Sequence, residues 1–149
     1  MTTIKSPYRP RLSNLMTVCE VNYMLLLRLM ADNEQQGESR QFFISDFLSY
    51  QITIDEVTRY TSLITMKQDA VVNGNVLSNF FRPKMVVRLY HDARMAEVVA
   101  NQDIRRVKPR YDYPNKNMHL PDEKQQINQF LTEWLQLSLQ LGQTNVALS

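Results

Sequence analysis

From residue 48 to residue 67, and again from 84 to 100, apolar side chains recur at every second position, whereas on both sides of this stretch they recur every three or four. A chain with a period-two centre and period-3.6 flanks has few ways to fold. Its centre makes a pleated surface with one apolar face, and its flanks make helices that need such a face to cover. Leu48, Tyr50, Ile52 and Ile54 alternate with Ser49, Gln51, Thr53 and Asp55, the pattern of a strand with one buried and one wet side. Residues 59–67 are rich in Tyr, Thr and Ile and read as its hairpin partner, with the turn near 55–58. Residues 40–45 form a weaker strand candidate. A second hairpin is predicted from 84–90 and 95–100, turning at residues 91–94. In it Met85, Val87 and Leu89 share one face, and Val86, Arg88 and Tyr90 the other. Between the hairpins lie residues 69–83, with Asn73-Gly74-Asn75 as a turn signal.

The first helix is predicted over 15–30, with Ser13 as its cap. Leu15, Val18, Cys19, Asn22, Leu25, Leu26, Leu29 and Met30 make its stripe. Met24 and Leu27 widen it, so the helix is expected to be covered on more than one side. A polar break at 32–39 contains Gly37. The last helix is predicted over 123–141, with Asp122 as N-cap, Gln125 at capping-box spacing and Gly142 as a left-handed stop. Its stripe is Ile127, Phe130, Leu131, Trp134, Leu135, Ser138 and Leu141. These elements predict an α+β fold, an antiparallel sheet of four to five strands in hairpins, with both amphipathic helices on one face. The 149 residues are expected to form a single domain whose ends, 1–12 and 143–149, fray.

Composition narrows the chemistry. Three glycines leave no room for the usual phosphate-cradling loops. Cys19 is the only cysteine, which excludes an intramolecular disulfide and a cysteine-based zinc site; in its apolar pattern it is expected to be a small buried hydrophobe. The net charge of +2 does not mark a nucleic-acid binder or a membrane-surface protein. The opening residues carry charges and two prolines without an apolar run, unlike a signal peptide, and the 23–30 stretch is too short to span a bilayer. The expected compartment is the cytoplasm.

Two groups of residues are candidates for function. Segment 105–116 holds Arg105, Arg106, Lys108, Arg110 and Lys116 against one acid, interleaved with Tyr111 and Tyr113 and two prolines. Its guanidinium forks can grip carboxylates of a protein partner, and arginine and tyrosine are the residues that anchor interfaces. The same residues could instead neutralise phosphates and stack on bases, or simply make a stiff connection. The second group is His91, Asp92 and His119, with Tyr90 or Tyr113 nearby, a polar set for an enzyme or a metal site if the fold brings it together. No helix spacing links the histidines, and Asp92 falls where a turn needs it. The leading expectation is a non-catalytic module that binds a protein partner through segment 105–116, with no cofactor and no catalytic residue assigned; nucleic acid is a weaker possibility, and no membrane is expected.

Several strings also carry a resemblance. Thr58-Arg59-Tyr60-Thr61, then Val87-Arg88-Leu89-Tyr90-His91-Asp92-Ala93 followed by Ala96-Glu97-Val98, then the run from Arg110 to Lys116, occur in one order. His119, Asp122-Glu123-Lys124, the run from Gln126 to Leu131, and Trp134-Leu135 complete it. Together they resemble the YqiB-like family of uncharacterised gammaproteobacterial proteins over about residues 19–141. The resemblance implies a compact bacterial cytoplasmic domain of unknown function, and no reaction or cofactor comes with it.

Overall fold

A computed structural model describes residues 12–31, 35–77, 82–102, 104 and 121–142. In chain order these form α1 (Leu12–Leu29), β1 (Ser39–Phe43), β2 (Leu48–Val57), β3 (Thr61–Val72), β4 (Asn75–Leu77), β5 (Lys84–Tyr90), β6 (Met95–Gln102) and α2 (Pro121–Leu141). The strands join in one antiparallel sheet in the order β1-β2-β3-β5-β6, with β4 paired to the far end of β3. The architecture is α+β, with a helix before the sheet and a helix after it.

Alternation decides which side chains meet the helices. Ile54, Ile64 and Val87 lie across from one another on β2, β3 and β5, as do Ile52, Met66 and Met85 one pleat further on. All six are buried, and so are Tyr50, Leu89, Ala96 and Val98. α1 supplies Tyr23, Leu26 and Leu29 to the same core, and α2 supplies Ile127, Leu131, Trp134 and Leu135. Both helices therefore cover one face, as the pattern requires. Each fully buried aliphatic or aromatic side chain contributes about 1.5–3 kcal/mol relative to exposure. The Tyr50 and Trp134 rings meet with centroids 4.9 Å apart, joining the sheet to α2.

Several details differ from the sequence reading. The sheet has six strands, because Asn73 (φ 52°) and Gly74 (φ 81°) take the left-handed conformation of a tight hairpin turn and fold β4 back onto β3. The first hairpin turns at residues 58–60 rather than 55–58. A bulge where the register shifts between Ile54 and Glu56 lengthens β2 past Asp55. Thr58 N–H donates to the Thr61 carbonyl, and the two threonine hydroxyls bond each other, which closes the later turn.

The helices also begin earlier. α1 starts at Leu12, so Ser13 lies inside its first turn. α2 starts at Pro121, placing Asp122 within the helix, because proline has a helical φ and no N–H to leave unused at the first position. Gly142 does not take the left-handed conformation. Its amide bonds to the Ser138 carbonyl, and a Cβ there would come within 2.4 Å of that oxygen and 3.0 Å of Phe42 Cβ. The glycine is required by close approach. Of the ends expected to fray, 1–12 and 143–149, Leu12 opens α1, and residues 1–11 and 143–149 lie outside the described residues.

Candidate functional site

An open cleft lies between the end of α1 and the β2–β3 hairpin. Leu27 near the end of α1, with Met30 and Ala31 just beyond it, makes one wall of the cleft, whose volume is about 330 Å³. The opposite wall and floor come from the sheet: Ile54, Val57, Ile64 and Leu89, with Thr58, Arg59, Ser62 and His91 at the polar positions. The volume falls at the small end of the range for ligand sites, and an apolar lining with a few converging polar groups is their usual composition. Arg40 donates to the Leu29 carbonyl at 2.9 Å, satisfying the end of α1 beside the cleft.

His91 is the most constrained polar group there. Its Nδ1 lies 2.9 Å from the Tyr23 hydroxyl on α1, and its Nε2 lies 2.8 Å from the Ser62 hydroxyl on β3. Its backbone N–H donates to the Tyr60 carbonyl. The Tyr23 ring meets the imidazole edge-on, and the Arg94 guanidinium stands 5.3 Å above the Tyr23 ring. A neutral imidazole donates from one nitrogen and accepts at the other, and two hydroxyls can serve either arrangement. Both ring nitrogens are thus engaged. Binding a metal at the ring, or passing a proton directly between the ring and a substrate, requires one of these bonds to open first.

Two residues of the sequence-predicted polar group can be placed. His91 faces the cleft, while Asp92 is exposed in the turn. Tyr90 is on the opposite sheet face from Leu89; its hydroxyl donates to Glu97 Oε1 at 3.1 Å, and burial followed by that carboxylate raises its pKa. Glu97 also pairs with Lys124 at 2.8 Å. Among the described residues no three His, Cys, Asp or Glu side chains converge to hold a metal. His119, and Arg105, Arg106, Lys108, Arg110, Tyr111, Tyr113 and Lys116, lie outside the described residues.

Sequence reasoning missed Tyr23, Ser62 and Arg59. Two of these had a signal. Ser62 shares the face of Ile64 by alternation, and Tyr23 shares that of Cys19 and Leu26 by helical spacing; nothing local marked Arg59. It also missed a polar cluster on the other sheet face, where Gln41 bridges Ser49 and Asp69 across three strands. Asp69 and Ser49 are fully buried, and Asp69 Oδ1 finds no hydrogen-bond partner among the described residues. Cys19 is buried as expected. Burial chiefly, then the Glu97 carboxylate, pushes its thiol up to about 11, with Lys124 opposing.

The comparisons with known proteins give a family. A family model described as "Protein of unknown function (DUF1249)" matches residues 25–144. The chain belongs to that family. It is 46% identical over 135 residues to "Uncharacterized protein YqiB" of Escherichia coli strain K12, covering 91% of this chain and 93% of the relative. The proteins of the same name from Escherichia coli O6:H1 and O157:H7 match equally well. No solved structure matches. Two of the strings that carry the resemblance, 58–61 and 87–93, contribute Thr58, Arg59, Leu89 and His91 to the sheet wall of the cleft. Among the described residues no helix is long and apolar enough to cross a membrane.

Proposed function

We propose that this chain is a non-catalytic interaction module of the bacterial cytoplasm, and that it recognises an acidic segment of a protein partner whose apolar side chain enters the cleft between α1 and the β2–β3 hairpin. The observation that carries the reading is the cleft itself, an open apolar recess with a guanidinium, Arg59, at its rim. A Leu, Met or Phe side chain would gain burial there while a neighbouring carboxylate meets Arg59. The basic composition of 105–116, with five cations against one acid, supports an acidic partner on grounds of charge alone.

The test is a selection of ligands from a random peptide display library on the intact protein. Recovered peptides are expected to share an apolar anchor beside Asp or Glu. Val57→Trp, which fills the cleft mouth, is expected to abolish their binding, and Arg59→Glu to weaken it about tenfold or more. Replacing Arg106, Arg110 and Tyr111 together by Ala is expected to weaken capture further with an unchanged Tm. Peptides without an anchor, or equal binding by Val57→Trp, would remove the reading.

A further inference from the structure

The face of α1 turned away from the sheet and from α2 carries Met16, Glu20, Val21, Met24, Leu27 and Arg28. All six are exposed, Met24 the most among the apolar ones at 56%. A solvent face on an amphipathic helix is ordinarily polar, and a contiguous apolar stripe marks an interaction surface. The sequence pattern led to the expectation that Met24 and Leu27 would be covered; within this chain they are not.

We propose that this face pairs with the same face of a second copy of the chain, as an antiparallel helix crossing about a two-fold axis at Met24. The charges select that arrangement. Glu20 and Arg28 stand one turn before and one turn after Met24, on a single i, i+4 row. A two-fold axis through Met24 and perpendicular to the helix brings each residue to the one equally far on the other side. Glu20 then meets Arg28 of the second copy, Arg28 meets its Glu20, and Val21 and Leu27 exchange places around the paired Met24 side chains. A parallel pairing would set Glu20 on Glu20 and Arg28 on Arg28, so it is disfavoured. The row is inclined to the helix axis. A crossing near about −50°, the commonest class between helices, lays the two rows side by side. Flexible, polarisable methionines suit the centre of such a contact. Leu27 also borders the cleft, so the pairing is stated for the chain without a bound partner.

Sedimentation equilibrium of the full chain, without any partner, tests the proposal. The wild type is expected to form dimers in a concentration-dependent way. Glu20→Arg and Arg28→Glu are each expected to weaken dimerisation about tenfold or more, since each places like charges together twice. The double variant, Glu20→Arg with Arg28→Glu, rebuilds both pairs with the signs exchanged and is expected to return to wild-type affinity. Thermal melts establish that all three variants are folded. A wild type that stays monomeric at millimolar concentration overturns the dimer. Single variants as tight as wild type, or a double variant no tighter than the singles, overturn the proposed pairing.

Discussion

Asn22 and Tyr23 are neighbours on α1, yet they end in opposite kinds of environment. At the α2 side, Asn22 Nδ2 donates to the Asn128 carbonyl at 3.0 Å, and Thr132 donates its hydroxyl to Asn22 Oδ1. The Asn128 side chain accepts the Val98 N–H at 2.8 Å and donates to the Lys124 carbonyl. Asn22 and Asn128 are completely buried. One residue along, Tyr23 holds His91, which is only partly buried at the edge of the cleft. The sealed network ties α1, α2 and β6 in one register. The open one ties α1 to the β5–β6 turn and leaves its polar atoms within reach of whatever enters. Buried polar bonds specify geometry at high stakes, because a lost partner is not replaced by water. At the cleft, water can take the vacant place.

That contrast orders the expected effects of substitution. Asn128→Ala leaves the Val98 N–H without its acceptor in the interior and is expected to cost the most, about 2–3 kcal/mol in urea unfolding; a loss under about 0.5 kcal/mol would break the comparison. Asn22→Ala removes two bonds in the same network while leaving the Asn128 carbonyl within its helix, and is expected to cost about 1–3 kcal/mol. Tyr23→Phe, at the open end, is expected to cost about 0.5–1.5 kcal/mol, since His91 keeps Ser62 and can bond water in place of the hydroxyl. Should Tyr23→Phe prove costlier than Asn22→Ala, the cleft is as sealed as the helix interface and the contrast disappears.

A pH dependence makes the smallest effect. Cys19 packs at the sealed side, and its thiol is raised from 9.0 to about 11 in the folded state. The folded chain therefore holds this proton where the unfolded chain releases it. Its contribution is constant below pH 9, and stability falls as the pH rises from 9 towards 11. Unfolding measured across that window is expected to show the fall, and Cys19→Ala to flatten it. The native thiol is also expected to react slowly with alkylating reagents at neutral pH, because little thiolate forms there.

Much of the fold could be read locally. Met85, Val87 and Leu89 point to the core and Val86, Arg88 and Tyr90 do not, as their alternation says. The helices were placed by the spacing of Leu26 and Leu29 and of Leu131, Trp134 and Leu135. β4 was less legible, being three residues long, and its turn pair Asn73-Gly74 was its main trace. The candidate site was legible only in part. His91 was named, but Tyr23 and Ser62, which bond its two ring nitrogens, were not. Alternation and helical period report which face a residue occupies; they carry no information about what lies opposite.

The sequence alone settled the pleated centre, its apolar side and the two helices that shelter it, because each follows from a period repeated over neighbouring residues. Tertiary structure decided where α1 stops relative to the β2–β3 hairpin, and hence that a cleft exists. It also decided that Asn22 finds its partner 106 residues away and Tyr23 its own 68 residues away. Such meetings depend on the strand register, on the bulge after Ile54 and on the seating of one helix against the other. All three are products of packing between distant segments, to which a local period is blind.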